Sequence, residues 1–355
     1  MALRHSLSRR DFLKGLGLSA AGAGVLGILP RFAEASPPPG VDFQDLSPAR
    51  QLPHKPVSSA SVSVVKGTDR RRIILESLRQ IQDEVLASIG DKAILIKPNM
   101  AVSGNPLAVT HVDAVRAVLD FLGPHHKKQA IIGESGVLNT AESYKNNGYL
   151  GLEKEYNVKL VDLNLGPSEP WYIFGRQSGP QRVRIISPFL DPRLYLISLA
   201  RMKTHDTVLV TLALKNILMA APLNDYRKND KGLLHGEIKS VADILHFNLF
   251  HLAHKVYPDL AVIDGFEAME GDGPAWGTPF EAKVALASLD ALAADIVATK
   301  MMGFDPNVVL YLRAMAEANM GQGDLDKIKI VGTPLDKCLY KFKPHKKMAE
   351  IYNLS

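Results

Sequence analysis

The phrases Lys97-Pro98-Asn99, Gly133-Glu134-Ser135 and Lys203-Thr204-His205 each follow directly on a short apolar run, and Asp264, Glu267 and Glu270 follow the run 261–263. Four largely apolar segments thus end in ionisable groups. Ligands of open α/β sheets sit beyond the carboxyl ends of the strands, so these residues are site candidates. Lys215-Asn216 joins them, because it follows the apolar run 208–214. An ammonium placed directly after a buried run is costly unless it meets an anion or water. Lys97, Lys203 and Lys215, with Asn99 and Asn216 beside them, can therefore cradle a carboxylate or phosphate. His205 or Glu134 is the group to move a proton there.

The second chemical signal is acidic. Residues 264–274 hold Asp264, Glu267, Glu270 and Asp272 together with Gly265, Gly271, Gly273 and Pro274. Such a stretch must bend sharply or approach something closely. Its carboxylates repel one another unless a cation or basic residues stand nearby. Asp264 and Glu270 can hold a divalent cation that bridges the same anion. Each group also has a plain structural use: Lys97 can snorkel at a strand end, Glu134 can cap the following helix, and the acidic stretch can be an ordinary turn.

Other chemistries find less support. Gly133-Glu134-Ser135-Gly136-Val137 lacks the last glycine of a nucleophile elbow. Neither a phosphate-binding P-loop nor a dinucleotide glycine fingerprint occurs. His246, His251 and His254 share one predicted helix without the His-Glu-x-x-His spacing, and read as packing or surface residues. His235 follows a loop rich in Lys and Asn, 224–231, and is either a lid residue or an exposed turn residue.

The elements that position these groups follow from hydrophobic periodicity. Strands are predicted at 62–65, 93–96, 130–132 and 160–163, alternating with helices at 70–89, 112–122 and 140–147. That alternation predicts an α/β fold, a mostly parallel sheet with flanking helices. Between 166 and 200 three strands are joined by Gly and Pro with no helix between them, which predicts an antiparallel insertion. Helices return at 237–256, 290–302 and 307–318, and strands at 260–263, 284–287 and 328–331. The main α/β domain is expected over 60–332. A Pro-rich leader spans 36–59, and a basic tail, read as solvated, spans 333–355.

The first 35 residues read as an address. Ser8-Arg9-Arg10-Asp11-Phe12-Leu13-Lys14, a mildly apolar Gly- and Ala-rich run, and Ala33-Glu34-Ala35 resemble a twin-arginine export signal with its cleavage site. This implies the twin-arginine translocation machinery as a partner and a periplasmic or other extracytoplasmic destination. It also implies crossing in the folded state. The formal net charge of +5 falls to +2 without this segment, which holds five basic and two acidic residues. The basic excess is thus no argument for nucleic acid. Cys338, the single cysteine, excludes an internal disulfide and an internal iron–sulfur cluster.

Taken in order, Lys97-Pro98-Asn99, Thr110-His111, Gly133-Glu134, Lys203-Thr204-His205, 211–216, Asp264-Gly265, 270–274 and 288–295 resemble the family known as domain of unknown function 362, over about residues 60–332. The resemblance adds His111, Asp290 and Asp295 to the polar positions. Asp290 is most simply a helix cap, which leaves Asp295 as the better functional candidate. Some members carry ferredoxin-like cysteine modules, which implies a redox partner protein; this chain has no such module. The expectation is an exported, metal-assisted enzyme acting on a small anion. The alternative is a non-catalytic binding or maturation protein serving an exported redox enzyme.

Overall fold

The strands are β1 (Ala60–Lys66), β2 (Ala93–Pro98), β3 (Ala130–Glu134), β4 (Val158–Asp162), β5 (Ser168–Phe174), β6 (Pro180–Ile186), β7 (Leu194–His205), β8 (Leu209–Thr211), β9 (Leu260–Glu270), β10 (Thr278–Phe280), β11 (Val284–Ser288) and β12 (Ile328–Gly332). Ten of them form one sheet along the path β12-β1-β11-β9-β7-β2-β3-β4, with β8 paired to β7 and β10 to β9. They are seen in a computed structural model that describes residues 58–100, 104–177, 179–236 and 243–354. The export-type segment 1–35 and nearly all of the Pro-rich leader lie outside those residues.

Pairings β4/β3, β3/β2, β2/β7 and β7/β9 are all parallel. Such strands are buried on both faces and need nearly continuous apolar runs. Ile94, Leu95 and Ile96 of β2 meet this need, and all twelve residues of β7 are buried, Arg201 and Lys203 among them. Alternate residues serve opposite layers. Ile94 and Ile96 join the core under α1 (Arg70–Arg79), α2 (Gln82–Ile89) and α3 (Val112–Leu122). Leu95 joins the core under α6 (Ala213–Leu218), α7 (Ile244–Ala253), α8 (Ala291–Met301) and α9 (Leu310–Glu317). Two short helices, α4 (Thr140–Asn146) and α5 (Leu152–Glu155), precede β4, and α10 (Lys346–Tyr352) ends the chain.

Strand order sets the place of the site. From β2 the chain builds outward through β3 to β4, then returns to lay β7 on the other side of β2 and β9 beyond it. Strand order therefore reverses between β2 and β7. The crevice outside the carboxyl ends of such a pair is where doubly wound sheets bind ligands.

Several boundaries differ from expectation. Ile81 leaves helical geometry (φ −126°, ψ 28°), so the expected helix 70–89 is two helices. The antiparallel insertion is the ribbon β5–β6 alone; the third expected strand is the start of β7, in the parallel sheet. Residues 208–214 divide into β8 and the first turn of α6. The acidic stretch is mostly strand, since β9 continues through Asp264 to Glu270 and turns only at Gly271 (φ +73°). The basic tail is packed: Cys338, Phe342 and Met348 are buried in the main core.

Candidate functional site

Parallel pairing sets Lys97 level with Ser198 and Pro98 level with Leu199. Asn99 therefore stands just past β2, while β7 runs on to Lys203 and His205. The chain then folds back through β8 into α6, which returns Lys215 and Asn216 over the same sheet end. The first N–H groups of a helix have no partner within it. For α6 they are taken by Asp295 of α8, whose Oδ1 accepts from Ala213 N at 2.8 Å and Oδ2 from Leu214 N at 3.0 Å. Asp295 thus fixes the helix that carries Lys215 and Asn216, and does not itself line the cavity there.

A continuous polar network joins the strand ends. Lys97 Nζ lies 3.0 Å from Glu134 Oε1 and donates to Asn216 Oδ1 at 2.9 Å. Asn216 Oδ1 also accepts from Asn99 Nδ2 at 3.0 Å, and Asn99 Oδ1 accepts from Lys203 Nζ at 2.8 Å. Lys203 Nζ has a second acceptor in Ala108 O at 2.8 Å. Asn216 Nδ2 donates to Lys97 O at 3.1 Å and Ser198 Oγ at 3.0 Å. Every member of this chain is buried. Buried polar groups persist only when paired, and here the pairing spans three strands and a helix.

Beside the network lies a cavity of about 300 Å³. Lys97, Asn99, Glu134, Lys203, His205, Lys215 and Asn216 border it, together with Ser135, Asp206, Thr211, Lys231 and His235. The wall opposite comes from Pro274 and Ala275, in the turn after β9. That turn needs glycine: a Cβ on Gly273 would sit 2.2 Å from Thr204 O, at the end of β7. The close approach expected of the acidic stretch is this contact.

The four lysines differ in their partners. Burial lowers the pKa of Lys97, against the pull of Glu134. Burial, then the charges of Lys215, Arg201 and Lys97, hold Lys203 well below the usual lysine range. Lys231 Nζ donates to Ala220 O at 2.7 Å, Pro222 O at 2.6 Å, Met219 O at 3.1 Å and Ser135 Oγ at 3.2 Å, and burial brings it down to about 7. Lys215 is only 6% exposed, borders the cavity, and makes no hydrogen bond or ion pair among the described residues. Burial lowers it to about 8, opposed by the charge of Asp206. Thr211 Oγ1, also on the cavity wall, is buried with no hydrogen-bond partner among the described residues.

His205 is neutral. Burial, then the charge of Lys215, holds its pKa well below the usual value. Its Nδ1 lies 3.0 Å from Thr207 N and 3.1 Å from Asp206 Oδ1. A backbone N–H can only donate, so Nδ1 accepts and the ring proton sits on Nε2. Burial likewise brings His235 down to about 4. His246 packs on Tyr311 and His251 on Trp171, as the helix pattern suggested.

Asp264, Glu270 and His111 are placed elsewhere. Asp264 Oδ2 lies 3.2 Å from Arg70 Nε, and its Oδ1 accepts from Phe266 N at 3.0 Å. Arg201, the register partner of Asp264 in the pairing of β7 with β9, meets Glu267 at 2.7 Å. Glu270 Oε2 accepts from Lys343 N at 2.8 Å, in the packed tail. His111 caps α3 through Asp113 N at 3.2 Å. None of the three borders the cavity. Asp264 faces Arg70, although its Oδ2 is buried with no hydrogen-bond partner among the described residues, and Glu270 faces the packed tail. Among the described residues no group of three or more His, Cys, Asp or Glu is placed to hold a metal ion.

Lys231 was not singled out from the sequence, and Ser135 and Thr211 entered only as members of longer phrases. Lys231 sits in a stretch of Asn, Asp and Lys that reads as solvated; only its four acceptors reveal its burial.

Fold and cleft define a doubly wound α/β protein with a lysine-lined cavity at the point where strand order reverses. Residues 94–300 match the family described as Domain of unknown function (DUF362), and the chain belongs to it. Every residue bordering the cavity falls within that segment. The chain is also similar to the Thylakoid-associated protein sll1697 of Synechocystis sp. (strain ATCC 27184 / PCC 6803 / Kazusa), at 28% identity over 223 residues. The match covers 62% of this chain and 65% of that protein, just under two thirds of the relative's length. No solved structure matches the chain.

Proposed function

We propose that this is an exported protein whose cavity binds a small carboxylate or phosphate, with His205 as the group that moves a proton on the bound ligand. The observation that carries this reading is Lys215, a buried amine on the cavity wall with no partner among the described residues. A buried ammonium with no direct partner is costly; the charge of Asp206 offsets only part of that cost, and a bound anion would offset more. Lys203 and Thr211 border the same space and add donors. Glu134 is the weaker candidate for proton transfer, because Lys97 and the N–H of Ser135 already hold its oxygens. The proposal gives no role to a metal, because Asp264 and Glu270 do not border the cavity.

Calorimetric titration with inorganic phosphate, succinate and lactate tests the reading. Saturable binding is expected for at least one of them, with proton uptake above pH 8 as Lys215 recharges. Absence of binding by all three would sink it. Turnover of a bound anion that is lost in His205→Gln supports the enzyme. Binding without turnover, together with copurification of an exported redox protein, supports the alternative of a maturation partner.

The twin-arginine pattern at Arg9-Arg10 supports export. The name of the Synechocystis relative, which places that protein with thylakoids, supports a location at or beyond a membrane. No helix among the described residues is long and apolar enough to cross one. Replacing Arg9 and Arg10 by lysine is expected to retain the protein in the cytoplasmic fraction; unchanged export would contradict the assignment.

A further inference from the structure

We propose that Lys215 is a covalent catalyst that condenses with the carbonyl carbon of a small 2-oxo acid, the imine forming inside the cavity at the end of β2 and β7. The inference rests on the anion-binding reading above and names the class of anion.

Imine formation needs an amine that is not pinned by hydrogen-bond acceptors, an enclosed space beside it, and a second handle that holds the carbonyl compound in place. Of the four cavity lysines, three are committed. Lys97 is tied to Pro98 O, Glu134 and Asn216. Lys203 is tied to Asn99 and Ala108, and Lys231 to three carbonyls and Ser135. Lys215 has no acceptor among the described residues, although it is nearly buried. Its setting also favours the uncharged, nucleophilic amine, since burial outweighs the attraction of Asp206. Desolvation is one of the ways by which a lysine becomes a nucleophile near neutral pH.

The rest of the cavity suits a 2-oxo acid better than a simple aldehyde. The Thr211 hydroxyl lacks a partner and His205 carries its proton on Nε2, so both can donate to a carboxylate. Met219, Val137 and Ala275 offer a short apolar wall for the remainder of the molecule. About 300 Å³ accommodates a compound of a few carbon atoms and little more.

The step balances without a further reagent. The Lys215 nitrogen lone pair attacks the carbonyl carbon, and a C–N bond forms as the C–O π bond opens. The oxygen then leaves as water, taking with it the two hydrogens of the neutral amine. His205, neutral and on the same wall, is the group that relays them.

The test is reductive trapping of the full chain. Protein is incubated with pyruvate or glyoxylate, treated with borohydride, digested and mapped by mass spectrometry. Close to one adduct per chain is expected, located on Lys215, suppressed by excess inorganic phosphate and reduced at least tenfold in Lys215→Arg. Adducts scattered over exposed lysines, or none on Lys215, would overturn the proposal. If Lys215→Arg fails to fold, the position of the adduct in the unaltered protein decides. Lactate separates the two levels of inference, because it keeps the carboxylate and lacks the carbonyl. Lactate or phosphate binding without a trapped Lys215 refutes the imine and leaves the anion site standing; no binding of either refutes both.

Discussion

Replacing Lys215 by methionine should make the empty protein more stable and the anion complex weaker. The side chain is buried, has no partner among the described residues, and is lowered from 10.5 to about 8. Each pKa unit corresponds to about 1.4 kcal/mol, so the charged amine costs the fold about 3 kcal/mol. The sign follows from linkage. A lysine whose folded pKa lies below its unfolded value penalises the fold fully below the folded value, and the penalty fades as pH rises from 8 to 10.5. Lys215→Met should therefore exceed the parent in stability at pH 7, with the difference vanishing near pH 10.5. Urea unfolding across pH 6 to 10.5 in anion-poor buffer measures it. Taking the difference between the two proteins removes the contribution of Lys231, while Lys203, no longer opposed by the Lys215 charge, adds to the gain in the variant. The same change removes a charge-assisted contact worth roughly 1.5–3 kcal/mol, so anion affinity should fall by about 10- to 150-fold. A variant less stable than the parent at pH 7, or a difference that does not depend on pH, would refute the claim that Lys215 is a buried amine whose charge is only partly compensated.

Lys97→Ala leaves the Glu134 carboxylate buried without its cation and should cost roughly 3–5 kcal/mol by denaturant unfolding; adding Glu134→Gln should restore most of that loss. Asp295 is pushed up to about 8 by burial, against the pull of two backbone N–H groups. Its folded pKa exceeds the unfolded one, so its contribution to stability is full below pH 4 and is lost as pH rises to about 8. Asp295→Asn should abolish that decline while losing one hydrogen bond, about 1–3 kcal/mol, as read from melting temperatures between pH 5 and 8. In Gly273→Ala the new Cβ would collide with Thr204 O; a loss of roughly 1–3 kcal/mol is expected, together with weaker anion binding because the Pro274–Ala275 wall must move.

Much of this arrangement was legible in the sequence because a parallel sheet leaves a simple trace. Its strands are mostly apolar, so polar residues gather towards their carboxyl ends, and Lys97, Asn99, Glu134, Lys203 and His205 were found in that way. Lys215 and Asn216 were found because an apolar run led into them. The rule failed at Asp264. There β9 does not end but continues to Glu270, and the carboxylate answers Arg70 of the helix layer. Partners so distant in the chain leave no local signal. Asp295 has the composition of a catalytic acid and the geometry of a cap, since the helix it caps comes 82 residues earlier. Lys231 shows the converse: its neighbours in sequence are those of a solvated loop, and its burial is created by carbonyls of the segment 219–222.

The most direct test is a crystal structure grown with inorganic phosphate or succinate. The expected result is a bound anion between β2 and β7, within hydrogen-bond distance of Lys215 Nζ and Thr211 Oγ1, and absent from the Lys215→Met variant. An empty cavity at saturating concentration, or an anion bound only at the Arg70–Arg201 cluster, would contradict the account.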